Sequence, residues 1–233
     1  SAGGSDLING LGGDDTLAIF SNKANFEVMT VAGLTKISGT TDPSGLGNPY
    51  YNQTISTVLV ETVAFADENV TVDTTLPSGT YYIYWVYTSS SEIITSSAEN
   101  DLIDGAGGND WINGSDGDDT LAIFSNNTNF EVITLEGITK VFGTLNPGGL
   151  GSSYYQDTIT IVYIETIAFA DGNVTVDTTL TTNNIIWGTH YSEGNDTISG
   201  TSGDDVIDSN GGSDTIDGGD GEDTLLLFAD KST

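Results

Sequence analysis

The sequence predicts an all-β protein built as a tandem repeat. Three observations lead to this fold class: turn-forming residues are abundant, a long segment recurs after 104 residues, and aspartates recur every nine residues within it. The 233 residues include 30 glycines and 24 aspartates, which favour turns and disfavour helix interiors. Threonine, valine, isoleucine and tyrosine fill much of the remainder, and these residues favour strands.

The chain is strongly acidic. Four lysines and no arginine stand against 34 acidic residues, which gives a formal charge of -30. Nucleic-acid binding is excluded as a general role, because it needs cations that displace phosphate counterions. The absence of cysteine excludes disulfides and cysteine-based zinc sites, and no apolar run predicts a membrane span. Hydrophobic residues make up 36%, enough for a core if something cancels the charge.

One segment is present twice. Residues 10–75 recur as residues 114–179 without insertion or deletion, and most aligned positions are identical. A third copy begins near Asp223, where "DTLLLF" resembles the earlier "DTLAIF". The pattern predicts a piece of a longer tandem array.

A shorter period of nine lies within this repeat. An aliphatic residue stands two positions after each phased aspartate, and a glycine stands two positions before nearly all of them, with Glu99 as the exception. The phased aspartates are Asp6, Asp15, Asp101, Asp110, Asp119, Asp196, Asp205, Asp214 and Asp223. Glycines that precede them include Gly108, Gly117, Gly194, Gly203, Gly212 and Gly221.

These units resemble the G-G-x-G-x-D-x-U-x nonapeptide of the RTX (repeats-in-toxin, hemolysin-type) family. The resemblance is carried by "GAGGNDWIN", "GSDGDDTLA", "GTSGDDVID" and "GGDGEDTLL". It implies a parallel β-roll in which glycine turns alternate with short strands. It also implies bacterial export through a type I secretion channel and folding on extracellular calcium.

The physical chemistry of the unit agrees with this resemblance. Two nonapeptides make one coil, so aspartates 18 residues apart meet in stacked coils together with turn carbonyls. Such oxygen-rich, adaptable sites suit Ca²⁺. The alternative is that each aspartate only accepts backbone hydrogen bonds. The predicted metal pairs are Asp101 with Asp119, Asp196 with Asp214, Asp205 with Asp223, and, with a degenerate partner, Asp110 with Glu92; Asp6 and Asp15 have no upstream partner.

The segments between the nonapeptide blocks predict small antiparallel β modules, because apolar and polar residues alternate between turn signals. Their "VETVAFADENVTV" and "IETIAFADGNVTV" stretches resemble segments that follow RTX repeats, with Glu61 and Glu165 expected to hydrogen-bond in turns. The predicted organisation is a partial RTX block at 1–18, module copies at 19–90 and 123–190, RTX blocks at 91–122 and 191–226, and the start of a third module at 227–233.

Tyrosine pairs follow the glycine-rich loops in both copies, at Tyr50–Tyr51 and Tyr154–Tyr155. They are candidates for contact with a polysaccharide or another surface protein, and the alternative is packing on a strand face. The three tryptophans, at 85, 111 and 187, do not align under the 104-residue shift, which argues against a common tryptophan site.

No catalytic constellation is predicted. A triad would depend on His190, the only histidine, and the near-identical copies fit an array better than an active site that is built once. We therefore expect a non-enzymatic, calcium-binding spacer in a secreted or cell-surface bacterial protein of the adhesin or surface-layer type. Two alternatives stay open: a tandem carbohydrate- or partner-binding module, and an accessory domain of a secreted hydrolase.

Overall fold

The structure, a computed structural model, describes residues 6–40, 51, 53–80, 82–85, 90–182, 184–188 and 194–228. It confirms the all-β fold class. The helical elements of these ranges are three short 3-10 helices, at Lys23–Asn25, Asn127–Asn129 and Gly149–Tyr154. Among the described residues, no helix has the length and apolar character needed to cross a membrane.

The strands of the first repeat have three to six residues, and those that come from nonapeptides have only three or four. They are β1 (Asp6–Asn9), β2 (Thr16–Ala18), β3 (Phe26–Val31), β4 (Leu34–Gly39), β5 (Thr54–Val58), β6 (Thr62–Ala64) and β7 (Asn69–Thr71).

The later strands follow the same order. Those of the second repeat are β8 (Tyr82–Trp85), β9 (Ile93–Thr95), β10 (Asp101–Asp104), β11 (Trp111–Asn113), β12 (Thr120–Ile123), β13 (Phe130–Leu135), β14 (Ile138–Gly143), β15 (Thr158–Val162), β16 (Thr166–Phe169) and β17 (Gly172–Thr175). The last strands are β18 (Ile185–Trp187), β19 (Thr197–Ser199), β20 (Val206–Asp208), β21 (Thr215–Asp217) and β22 (Thr224–Leu226).

Strands that are two nonapeptides apart pair in parallel. Ile103 of β10 pairs with Leu121 of β12, and Ile112 of β11 pairs with Ile94 of β9. The third block repeats this arrangement through β19–β21 and β20–β22. The aliphatic residues of β10, β11 and β12 point into the core, because Ile103, Ile112 and Leu121 are fully buried.

The predicted modules are antiparallel only in part. Strands β13, β14 and β15 form an antiparallel meander, and β16 pairs antiparallel with β17. Yet β15 also pairs in parallel with β11, and β16 pairs in parallel with β12. Strands β15 and β16 therefore add one more coil to the stack, and the hairpin β13–β14 is inserted into that coil. The first repeat is built alike, with β5 on β1 and β6 on β2.

Each antiparallel sheet packs against the coils of the following repeat. Val31, Leu34 and Val58 of the first repeat share one core with Leu121 and other residues of the second block. In the same way Ile138 packs with Val206 and Leu226 of the third block. Consecutive repeats are therefore joined through continuous hydrophobic cores.

The expectation that the repeats share no tryptophan position is wrong. Trp85 pairs with Asp104 in β8–β10, and Trp187 pairs with Asp208 in β18–β20. The two tryptophans thus occupy the same register position. The second copy is two residues shorter between its last module strand and this tryptophan, so a rigid shift of 104 residues misses the match.

Candidate metal centres

Each candidate centre lies in the sharp turn that leads into a strand. In four of these turns the glycine two positions before the aspartate has a φ that only glycine adopts readily: 113° at Gly108, 123° at Gly117, 106° at Gly212 and 122° at Gly221. A Cβ on Gly117 would also lie 2.6 Å from the carbonyl oxygen of Glu99, which belongs to the turn one coil earlier. These glycines therefore let the carbonyls of one turn approach the backbone of the next.

The structure brings all four predicted pairs together. In each pair the backbone N–H of the earlier residue donates to the carboxylate of the residue 18 positions later. The N···O distances are 2.7 Å for Asp101–Asp119, 2.9 Å for Asp196–Asp214, 3.1 Å for Asp205–Asp223 and 2.9 Å for Glu92–Asp110. The backbone-acceptor role that the sequence left open as an alternative is thus present at every pair.

That role uses only one oxygen of the carboxylate. Asp110 and Asp119 are about 98% and 99% buried, and their Oδ1 atoms accept the backbone N–H groups. Within the described residues, the Oδ2 atoms of both side chains are buried without a hydrogen-bond partner, as is Oδ1 of Asp101. Buried polar atoms of folded proteins nearly always have a partner, so these oxygens fit a bound cation.

Electrostatics points the same way. Burial raises the pKa of Asp119 to about 7, with the neighbouring charges of Asp101 and Glu165 contributing. Burial likewise raises the pKa of Asp110 to about 8, with Glu92 and Asp157 contributing. The fold disfavours these carboxylates as bare anions, because burial removes water and stacking brings other acids close. A divalent cation would remove both costs.

The donor set matches a hard cation. Among the described residues, no three His, Cys, Asp or Glu side chains come together in a way that could hold a metal. A cation here would therefore take carboxylates in pairs and complete its shell with turn carbonyls. Six to eight oxygen ligands, many from the backbone, is the coordination that Ca²⁺ accepts.

The remaining candidates are placed as follows. Asp205 is fully buried and accepts from Thr201 and Asn184, whereas Asp223 is exposed in the last described turn. Asp6 is half-buried at the start of β1, where it pairs with Ile55. The carbonyl of Gly194 lies against Gly212, and that of Gly203 lies against Gly221, as in the turns of the second block.

Two glutamates accept the backbone N–H groups of the last phased aspartates of the first and second blocks. Asp15 and Asp119 have no aspartate 18 residues downstream, yet their N–H groups donate to Glu61 and Glu165 over 2.8 Å in each case. The turn before Glu165 is three residues shorter than a nonapeptide turn, so the longer glutamate side chain reaches the same N–H group. The expectation that both glutamates hydrogen-bond in turns is confirmed. Their link to Asp15 and Asp119 was missed, although both pairs recur at the same spacing.

The tyrosines divide between surface and core. Tyr154 is about 98% buried, and its hydroxyl oxygen accepts the N–H of Phe124 over 3.3 Å. Burial removes Tyr154 from any contact surface and gives it the packing role that the sequence left as an alternative. Tyr51 and Tyr155 are 44% and 38% exposed, and Tyr50 lies outside the described residues.

The comparison with protein families supports this chemistry. Residues 2–18, 87–121 and 190–225 match the model of the RTX calcium-binding nonapeptide repeat, in four copies. The comparison with curated proteins returned no match to the chain. The matched segments contain the phased turns, and the repeats of this family bind Ca²⁺. These three segments match RTX calcium-binding nonapeptide repeats, and they form a calcium-binding repeat region.

Proposed function

We propose that the chain is a spacer segment of a secreted or cell-surface bacterial protein, of the adhesin or surface-layer type, that folds when it meets extracellular calcium. The observation that carries this proposal is the set of buried carboxylate oxygens without a hydrogen-bond partner at Asp101, Asp110 and Asp119. Calcium binds the four aspartate and glutamate pairs, with turn carbonyls as further ligands.

Coupled folding and binding follows from the charge. The formal charge of -30 repels itself in any compact state, and the stacked turns concentrate it. Without calcium the stack holds carboxylates in places that raise their pKa values. The metal's binding energy therefore becomes folding energy, as in other proteins whose site does not exist in the unfolded chain.

The spacer role is supported by the architecture. Parallel coils alternate with hairpin insertions, and each antiparallel sheet packs on the next repeat. Repeats that contact only their neighbours extend an array without limit on its length. The blocks at 1–18, 91–122 and 191–226 act as calcium-folded segments, and the intervening modules at 19–90 and 123–190 join them. No substrate site is part of this role.

A calcium titration tests the proposal. The metal-free chain is followed by circular dichroism and thermal unfolding while Ca²⁺ is raised to about millimolar, the range of extracellular calcium modules. We expect β content to appear and the unfolding midpoint to rise with calcium concentration, because a ligand of the folded state stabilises it by mass action.

Magnesium at equal concentration is the control, since any divalent ion screens a highly charged chain. Mg²⁺ demands octahedral geometry and keeps its waters, so we expect it to reproduce little of the response. An equal response to both ions would show general screening, and folding without either ion would contradict the proposal.

A further inference from the structure

The outer face of β2 differs from that of its counterpart β12. We define the β2 face as the outward side chains of Thr16, Ala18 and Phe20. All three are exposed, and Phe20 is 88% exposed. The counterparts in the second repeat, Thr120, Ala122 and Phe124, are 5%, 0% and 1% exposed. The same residues in the same turn-strand unit are thus open in one repeat and covered in the next.

The cover of the second repeat is the antiparallel sheet of the first. Phe124 shares a core with Val31, Leu34 and Val58, and the Nζ atom of Lys36 lies 4.3 Å from its ring centroid. The ammonium also pairs with Asp104 at 2.8 Å, with both side chains at most 9% exposed. An apolar sheet with one buried lysine therefore seals this face.

The third repeat is covered in the same manner. Lys140 lies 4.6 Å from the ring centroid of Phe228 and 2.8 Å from Asp208. Lys140 and Asp208 stand 68 residues apart, as do Lys36 and Asp104. The two examples follow one rule. The antiparallel sheet of one repeat, together with its buried lysine, covers the aromatic residue that follows the "DTL" strand of the next repeat.

We propose that the β2 face is a docking surface for the antiparallel sheet of a further repeat of this kind, joined ahead of residue 1. In the part of the chain that the structure describes, the two such sheets are both packed already, on Phe124 and Phe228. A second copy of the chain would therefore have to give up an internal contact to supply one. The spacing of the repeat also agrees with this arrangement. A copy of residues 1–104 added ahead of residue 1 would end on its own Asp104, directly before the coil that carries Phe20.

Cysteine labelling tests the surface, because the chain contains no cysteine. Phe20→Cys and Phe124→Cys are made in the 233-residue chain with calcium present, and maleimide labelling rates are compared. Phe20→Cys is expected to react quickly and Phe124→Cys slowly. Thr16→Cys and Thr120→Cys repeat the comparison with smaller side chains, in case the loss of Phe124 prevents folding.

The decisive step is a longer chain in which residues 1–104 are duplicated ahead of residue 1. There the original Phe20→Cys or Thr16→Cys is expected to label at least tenfold more slowly than in the shorter chain. Replacement of the added lysine, equivalent to Lys36, by glutamate should restore fast labelling. Unchanged labelling in the longer chain would overturn the proposal. Circular dichroism in calcium checks that both chains are folded, which separates this failure from a failure of calcium-dependent folding.

Discussion

The backbone N–H of Asp101 donates to Oδ1 of Asp119 over 2.7 Å, although the two residues stand 18 positions apart. This contact locks the register of two stacked coils and uses one carboxylate oxygen. The second oxygen of Asp119 is buried without a hydrogen-bond partner in the described part of the chain. Asp119 therefore has two separable duties, and substitutions can test them one by one.

Asp119→Asn should keep the backbone contact and lose the charge. The amide oxygen can still accept the N–H of Asp101, whereas the pair loses one negative charge. We expect the calcium concentration at the folding midpoint to rise about tenfold or more, equivalent to about 1.4 kcal/mol. Since burial raises the pKa of Asp119 to about 7, the neutral side chain should also stabilise the metal-free fold.

Asp118→Asn is the matched control for this experiment. It removes the same formal charge from the neighbouring, exposed position. Calcium titrations followed by circular dichroism should show a midpoint close to that of the unchanged chain. Equal shifts for the two variants would mean that net charge, and not a site at Asp119, sets the calcium response.

Gly114→Ala should destabilise the calcium-loaded chain. A Cβ at this position would overlap the carbonyl oxygen of Tyr163 and lie 2.6 Å from Oδ2 of Asp119. Forcing atoms into a packed position costs about 1–3 kcal/mol. Gly12→Ala is the control, because its Cβ would have no neighbour within 4 Å. Urea unfolding in saturating calcium measures both, and similar losses at the two positions would contradict the close packing of the turns.

The turn glycines and the aspartate pairs could be predicted from the sequence because their spacing along the chain is constant. Two nonapeptides make one coil, so the partner of Asp101 follows from counting 18 residues. Counting fails where the coil length changes. The turn before Glu165 is three residues shorter and the hairpin β13–β14 intervenes, so no fixed period links Asp119 to Glu165.

The contact between Lys36 and Asp104 was also beyond the sequence pattern. Asp104 occupies a variable position of the nonapeptide, and Lys36 lies on a module strand 68 residues away. Only the docking of one repeat on the next brings them together. The available signal was the recurrence of two of the four lysines and of both aspartates at the repeat spacing.

Lys36→Met tests that contact between repeats. Asp104 is fully buried, and burial raises its pKa while the charge of Lys36 lowers it. Removal of the lysine leaves a buried carboxylate without its partner, which costs about 3–5 kcal/mol. We expect a large drop in the thermal midpoint of the calcium-loaded chain.

The double variant Lys36→Met with Asp104→Leu should recover most of this loss, because apolar replacement of a buried ion pair is often neutral. Lys23→Met controls for the lost positive charge at a half-buried lysine without a salt bridge in the described residues. A double variant as unstable as Lys36→Met alone would show that shape, and not the stranded charge, determines the loss.

Glu165→Ala tests whether this glutamate only accepts a hydrogen bond or also binds metal as the aspartate pairs are proposed to do. Oε2 of Glu165 accepts the N–H of Asp119 over 2.8 Å, and Oε1 accepts the hydroxyl of Thr178 over 3.3 Å. Both oxygens thus already accept hydrogen bonds from protein donors, whereas only Oδ1 of Asp119 does so in the described residues. The alanine variant leaves the Asp119 N–H without this acceptor, a loss of about 1–3 kcal/mol.

Calorimetry with calcium distinguishes the two roles of a carboxylate in this stack. We expect Glu165→Ala to lower the thermal midpoint without changing the number of calcium ions bound. Glu61→Ala should behave in the same way in the first repeat, where the N–H of Asp15 donates to Glu61 over the same distance. Glu165→Gln keeps an acceptor oxygen and should lie close to the unchanged chain. If either alanine variant bound one calcium ion fewer, its glutamate would be a calcium ligand. The series of metal sites would then extend beyond the nonapeptides into the coil that contains the hairpin.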